Sequence, residues 1–185
     1  MWKDLPVPDL PIFRYHPDPV ATGSVEASNE PCDVCGLDRG FVYVGPVYSE
    51  VADEPTICPW CIADGSAARM LQADFTDAGS GVPGQVPVEV VDAISHRTPG
   101  FSGWQQEHWL YHCDDGASFL GRIGYNDVLA LPGAMEMLSH ENDDYGWSPE
   151  ETEAFIRRLE PDGEATGYWF RCVVCQSDLA YSDTA

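Results

Sequence analysis

Seven cysteines and one histidine carry the chemistry that this sequence offers. Six of the cysteines fall in three Cys-x-x-Cys pairs, Cys32/Cys35, Cys58/Cys61 and Cys172/Cys175, and the seventh, Cys113, directly follows His112. Two thiolates at this spacing can reach one ion from a single tight turn, and a structural zinc site takes four Cys or His ligands. The pairs supply six ligands, Cys113 is the seventh and a histidine the eighth. The sum closes on two Zn2+ ions with no thiol left over. An odd number of cysteines also argues against a complete set of intramolecular disulfides.

The first site is assigned to Cys32, Cys35, Cys58 and Cys61, which share one local stretch. The second joins Cys172 and Cys175 to Cys113 and a histidine. His112 is favoured, although His108 lies four residues earlier on the same face of any helix. His112 and Cys113 can share an ion only if a helix ends there, and Asp114-Asp115-Gly116 allows such an ending. A different partition, with Cys32/Cys35 and Cys172/Cys175 on one ion, stays open.

Catalytic alternatives fare worse. Cys58-Pro59-Trp60-Cys61 has the form of a redox dithiol but lacks a βαβ setting. In His108-Trp109-Leu110-Tyr111-His112, a tryptophan stands where a zincin needs its glutamate. Pro31-Cys32-Asp33-Val34-Cys35 matches half of a deaminase motif, without the upstream His-x-Glu. One enzymatic reading survives. If only Cys113, Cys172 and Cys175 bound the second ion, its open position could activate water, with Gln105, Gln106, Glu107 and His108 nearby.

The elements that must position these residues follow from the patterning. Prolines at 6, 8, 11, 17 and 19 forbid a helix near the start and favour an extended arm, with a turn at Pro17-Asp18-Pro19. Phe41 to Val44 and Val47-Tyr48, separated by Gly45-Pro46, read as a β-hairpin. Cys58 to Leu71 is helix-compatible after its second cysteine, weakened at Gly65. Knuckle, hairpin, knuckle, helix is the order of a treble clef. Residues 76–85 form a flexible connection. Helices are expected over Pro87 to His96, Trp104 to Cys113, and Tyr125 to Leu131, the last stopped by Pro132-Gly133. His140 to Tyr145 reads as a solvated acidic loop. Ser148-Pro149-Glu150-Glu151 is a capping box opening a helix to about Glu160. Strands are expected at Ala117 to Ile123, at Gly167 to Phe170 and at Leu179 to Tyr181.

The fold class expected is α+β: a treble-clef-like zinc module packed on a small α+β unit with a second zinc knuckle. Its divisions are an arm over 1–30, the zinc module over 31–78 and the α+β unit over 79–185, joined in one body from 12 to 181.

Length and composition agree with a globular protein: 185 residues, 44% of them hydrophobic, with enough aromatic side chains to fill a core. The net charge of -22 excludes direct nucleic-acid binding as the default and favours a basic protein partner. Lys3 is the one lysine among nine cationic residues, so part of this bias reflects composition or adaptation to salt. Nothing approaches the length of a membrane span, and the start of the chain has no apolar signal run. The expected location is the cytoplasm.

Four stretches resemble the CbrC family of bacterial proteins: FRYHPDP followed two residues later by TGS, CPWCIADGSAA, RTPGFSGWQQEHWLYHC and YWFRCVVC. The similarity runs from about Ile12 to Tyr181. The family pattern includes the paired cysteines and the His-Cys dipeptide, carried here by Cys32, Cys35, Cys58, Cys61, His112, Cys113, Cys172 and Cys175. The resemblance implies a toxin-tolerance or immunity-type factor. The function expected is thus a zinc-stabilised binding protein whose acidic surface meets a basic partner, such as a toxin domain. The alternatives are a hydrolase-like zinc enzyme using the second site, or a regulatory adaptor.

Overall fold

The computed structural model describes residues 9–144 and 146–185. Pro6 and Pro8 of the expected arm, and Tyr145, lie outside them. The architecture is mixed α/β and has three antiparallel sheets. Strands β1 (Val25–Ala27) and β2 (Phe41–Tyr43) form one pair, and β3 (Tyr48–Ser49) and β4 (Ala73–Asp74) another. The third sheet has the order β5-β6-β7-β8, from β5 (Tyr111–His112), β6 (Asp115–Ile123), β7 (Ala165–Cys172) and β8 (Asp178–Thr184).

Period-two patterning divides the large sheet between two cores. Tyr168 and Phe170 of β7, with Leu179 and Tyr181 of β8, face an aromatic cluster with Phe101, Trp109, Phe119 and Ile94. Ala165 and Ala180 face the other way, toward Val128, Ala134, Leu138, Ile156 and Leu159. A register shift between Phe119 and Gly121 changes the phase of β6. Phe119 therefore packs in the aromatic cluster and Ile123 in the helical one, which is how a bulge lets one strand serve two faces. A third cluster gathers Phe13, Val25, Tyr43, Ile57, Ile62, Ala67 and Phe75 around Cys32, Cys58 and Cys61.

Helices α3 (Val88–Arg97), α4 (Tyr125–Ala130) and α6 (Pro149–Ile156) lie where the periodicity puts them. The α6 capping box forms: the Glu151 amide donates to Ser148 Oγ, and the Ser148 amide to the Glu151 carboxylate. The helix-compatible run after Cys58 is two helices, α1 (Pro59–Ala63) and α2 (Ser66–Leu71). Gly65 between them sits at φ 73°, a left-handed conformation that ends the first helix.

Five sequence expectations need correction. The hairpin at 41–48 does not form, because its two strands take other partners, β1 and β4. The Tyr43 hydroxyl donates to the Pro46 carbonyl at 2.8 Å and holds the chain in a bend where a hairpin would continue. The order knuckle, strands, knuckle, helix is kept, but the treble-clef hairpin is not there. Trp104 to Cys113 is no helix. The Trp104 and Gln105 amides donate to the Asp183 carboxylate, Trp109 Nε1 donates to the Ala117 carbonyl, and Tyr111 and His112 pair with Gly116 and Asp115 as a strand. Trp109 fills the sheet's core from this non-helical run, with Tyr111 packed against it, while Trp104 stays exposed. Helix α4 ends before Pro132 as expected, but Pro132 then opens a further helix, α5 (Pro132–Asp144), a place where its missing amide costs nothing. That helix takes in most of the expected acidic loop, and Glu141 accepts bonds from both the amide and hydroxyl of Ser182. The connection at 76–85 is partly tied down, with Ala78 buried in the aromatic cluster and its carbonyl accepting from the Tyr111 hydroxyl.

The arm is more deeply placed than an extended surface segment. Phe13 and Tyr15 are buried in different clusters. The Phe119 amide donates to the Tyr15 carbonyl, and the Ser118 hydroxyl to the Arg14 carbonyl, so residues 14 and 15 run along β6. His16 has no exposed surface; Nδ1 lies 2.7 Å from the Pro99 carbonyl and Nε2 lies 2.6 Å from Thr22 Oγ1.

Candidate metal centres

Two four-residue groups meet the requirements of a metal centre among the described residues. They are Cys32, Cys35, Cys58 and Cys61, and His112, Cys113, Cys172 and Cys175. Within each group all four ligand atoms lie within 4.8 Å of one another.

In the first group, Cys32 and Cys35 occupy a tight turn closed by bonds from the Gly36 amide to the Cys32 carbonyl and from the Cys32 amide to the Leu37 carbonyl. Asp33 ties that turn to the second pair: its amide donates to the Thr56 carbonyl, and its carboxylate accepts from the Thr56 amide. Cys58 is the N-cap of α1, with extended backbone and Pro59 behind it, so Cys61 returns to the same side one turn later. The Cys58 amide donates to Cys32 Sγ at 3.3 Å. Cys35 Sγ and Cys58 Sγ are 3.9 Å apart. Sulfurs bound tetrahedrally to zinc at about 2.3 Å stand about 3.8 Å apart, so this spacing fits the ion. Three of the four cysteines are core residues.

The second group is built from two hairpin turns of the large sheet. His112 pairs with Asp115, leaving a two-residue turn of Cys113 and Asp114, both at positive φ (53° and 59°). That is the type I′ geometry, whose twist matches antiparallel strands. It also answers the difficulty of adjacent ligands. No helix has to end, because a left-handed turn brings the Cys113 thiol back over its own neighbour. Cys113 Sγ is 3.2 Å from His112 Nδ1. Opposite them, Cys172 ends β7 and Cys175 sits in the turn to β8, closed by the Cys172 amide on the Ser177 carbonyl and the Gln176 amide on the Cys172 carbonyl. Cys175 Sγ is 3.4 Å from His112 Nδ1. Only Cys172 is buried; His112, Cys113 and Cys175 are exposed.

Thiol acidity follows the crowding. Burial pushes the Cys58 thiol up to about 11 and Cys61 higher still. Burial acts upward on Cys35 too, yet its thiol is lowered, because the Leu37 backbone and the surrounding thiols hydrogen-bond to the thiolate. In the second group, Cys175 is brought down to about 6 by the Ser177 hydroxyl and amide and then by Cys172, while Cys113 is raised to about 11, first by its bond to Cys175. Each group thus favours one thiolate and resists the next. A divalent cation removes that resistance, which is the behaviour of a metal-binding set.

The other sequence candidates lie elsewhere. His108 packs its ring on Tyr181, with centroids 3.9 Å apart. Glu107 is 3% exposed and accepts from the Tyr48 hydroxyl and the Gln106 amide. Neither belongs to a cysteine group. The pairs Cys32/Cys35 and Cys172/Cys175 are in separate groups. The residue that sequence reasoning passed over is His16. A histidine between aromatic and proline residues gives no spacing signal for the role it takes.

A family model described as "Uncharacterised protein family (UPF0167)" matches residues 10–184. The chain belongs to the UPF0167 family. It is 51% identical over 176 residues to UPF0167 proteins of Mycobacterium bovis and Mycobacterium tuberculosis, covering 95% of this chain and 94% of each relative. A UPF0167 protein of Pseudomonas aeruginosa is 41% identical over 169 residues, covering 91% of this chain and 93% of its own. No solved structure matches. This corrects the resemblance to the CbrC family: family and relatives alike carry the UPF0167 name. The toxin-tolerance expectation rested on that resemblance and loses its basis. No helix of the described residues is long and apolar enough to cross a membrane.

Proposed function

We propose that this UPF0167 protein is a zinc-stapled binding protein. Cys32, Cys35, Cys58 and Cys61 hold one Zn2+, and His112, Cys113, Cys172 and Cys175 hold the other. The observation that carries the reading is closure. Seven cysteines and one histidine sort into two compact sets of four, with none left outside. Thiolates and imidazole are the ligands of zinc, and four of them leave no position for a water nucleophile. The hydrolase alternative needs an open position, and the side chains nominated for it, Glu107 and His108, are engaged with Tyr48 and Tyr181. In this reading the ions turn over no substrate, and binding is done by the acidic surface. Its partner is a basic protein, met by long-range attraction from a chain of net charge -22.

The primary test is metal content. Purified protein should hold two equivalents of zinc by elemental analysis and native mass spectrometry; one or none overturns the reading. For the partner, association with a basic protein recovered by cross-linking should slow as salt rises from 50 to about 500 mM, because exposed charges are screened beyond a Debye length. An association rate indifferent to salt removes the electrostatic part.

A further inference from the structure

The two centres differ in what would remain if the ion left. Around the first, every element is short: β1 and β2 have three residues each, β3 and β4 two, and α1 five. Two-stranded pieces of this size are not stable alone. Cys32, Cys58 and Cys61 are also part of the hydrophobic cluster that such pieces share. Losing that ion opens the cluster.

The second centre sits on a finished structure. The strands that carry it are paired from Ala117↔Cys172 through Ile123↔Gly167 and from Arg171↔Asp178 through Ala165↔Thr184. Both ligand-bearing turns are closed by their own backbone bonds. Asp115, beside the first turn, also accepts from Arg14 at 2.6 Å and from the Tyr15 hydroxyl at 2.8 Å. Behind the turns the aromatic cluster contains none of the four ligand residues, and only their chain neighbours Tyr111 and Val173 pack against it. Three of the four ligands are open to solvent, with Val174 between the last two exposed as well.

We propose that the His112–Cys113–Cys172–Cys175 centre is an exchange site, taking up and releasing a zinc-type ion while the fold stays intact. The proposal rests on the two-zinc reading. An incoming thiolate or chelator would bond to the ion as its bond to Cys113 or Cys175 broke, leaving that sulfur to solvent at the exposed turn. The first centre buries three of its four sulfurs and leaves only Cys35 partly open to such an approach. The exchanging partner is a soft-ligand acceptor or donor of zinc, and the reported state is the exposed tip made by His112, Cys113 and Val174.

The experiment uses the full-length, two-zinc protein with EDTA as acceptor, following native mass and near-ultraviolet circular dichroism together. One ion should leave first, on the order of 100-fold faster than the second, as local opening outpaces global opening. The dichroism should be unchanged at the one-zinc stage. Iodoacetamide added at that stage should label Cys113 and Cys175 and spare Cys32, Cys58 and Cys61. Readdition of zinc should restore the second equivalent and block labelling. Loss of both ions together, or loss of the tertiary signal with the first ion, overturns the exchange site. So does labelling at Cys58 or Cys61 in the one-zinc species. A protein that never holds two ions fails the two-zinc reading instead. Cys175→Ser should fold and keep one ion; if it does not fold, the chelator experiment on the natural chain still decides.

Discussion

The two cysteine groups use nearly the same ligands for opposite structural ends. In the first, three of the four sulfurs are core atoms, and the strands and helices around them are too short to persist alone. In the second, the sulfurs decorate turns of a four-stranded sheet that is complete behind them. A ligand set by itself therefore does not tell how much a metal contributes to folding. What decides is how much hydrophobic and hydrogen-bonded structure closes without it.

The contrast is broken or kept most sharply by mutation of one cysteine in each group. Cys58→Ser should abolish cooperative unfolding, because structural zinc contributes on the order of 10 kcal/mol, comparable to the whole stability of a domain. Cys175→Ser should cost only about 1–3 kcal/mol, as a surface turn does. Thermal melts read by circular dichroism distinguish the two, and equal losses would end the comparison.

Next in size is the seam between the first group's cluster and the sheet. The Gly100 amide donates to the Tyr43 hydroxyl, and a Cβ on Gly100 would lie 1.8 Å from the Phe75 carbonyl oxygen. Gly100→Ala should destabilise by about 3 kcal/mol in chemical denaturation, since backbone has to move. A neutral result would mean the seam is loose.

Acid acts on the same seam through His16, whose neighbours in sequence divide between the two clusters. Burial holds its pKa down to about 4, against an ordinary value near 6.5, so the folded protein carries it neutral. Its contribution is complete above pH 6.5 and is lost as the pH falls toward 4, a total of about 3 kcal/mol. His16→Gln should flatten that part of the stability profile, most cleanly between pH 6.5 and 5.5. A profile unchanged by the substitution would show that the cysteines alone set acid sensitivity.

The smallest effect is a control. Ser148→Ala removes the α6 cap, remote from both groups, and should cost about 1 kcal/mol without altering zinc content. If zinc is lost from this variant, the two centres are coupled through the helical core more tightly than the packing indicates.

Much of the architecture could be read in the residues, and the failures have common causes. Eight ligand residues announced themselves by type and spacing, and the structure brings them together as two fours. Strands β6 to β8 and the α6 cap were legible because alternation and capping are local signals. The hairpin at 41–48 misled because Gly45-Pro46 marks a bend equally well without pairing, and which strands pair is settled by tertiary packing. Trp104 to Cys113 misled because Trp109 is taken into a core assembled from distant residues and Tyr111 and His112 pair in the sheet. Helix α5 was missed at a proline whose place as a first helical residue and as a stop look alike in sequence. His112 joins the other three side chains on a backbone other than the one expected: a left-handed turn, not a helix end, sets it beside Cys113.

The run of Arg14 and Tyr15 along β6 has a consequence during synthesis. A strand edge left bare on a half-made chain invites pairing with other nascent chains. Here the segment that covers Ser118 and Phe119 leaves the ribosome about a hundred residues before the strand it shields. The guard for that edge is waiting when the strand arrives, and only the opposite edge stays open until β7 follows.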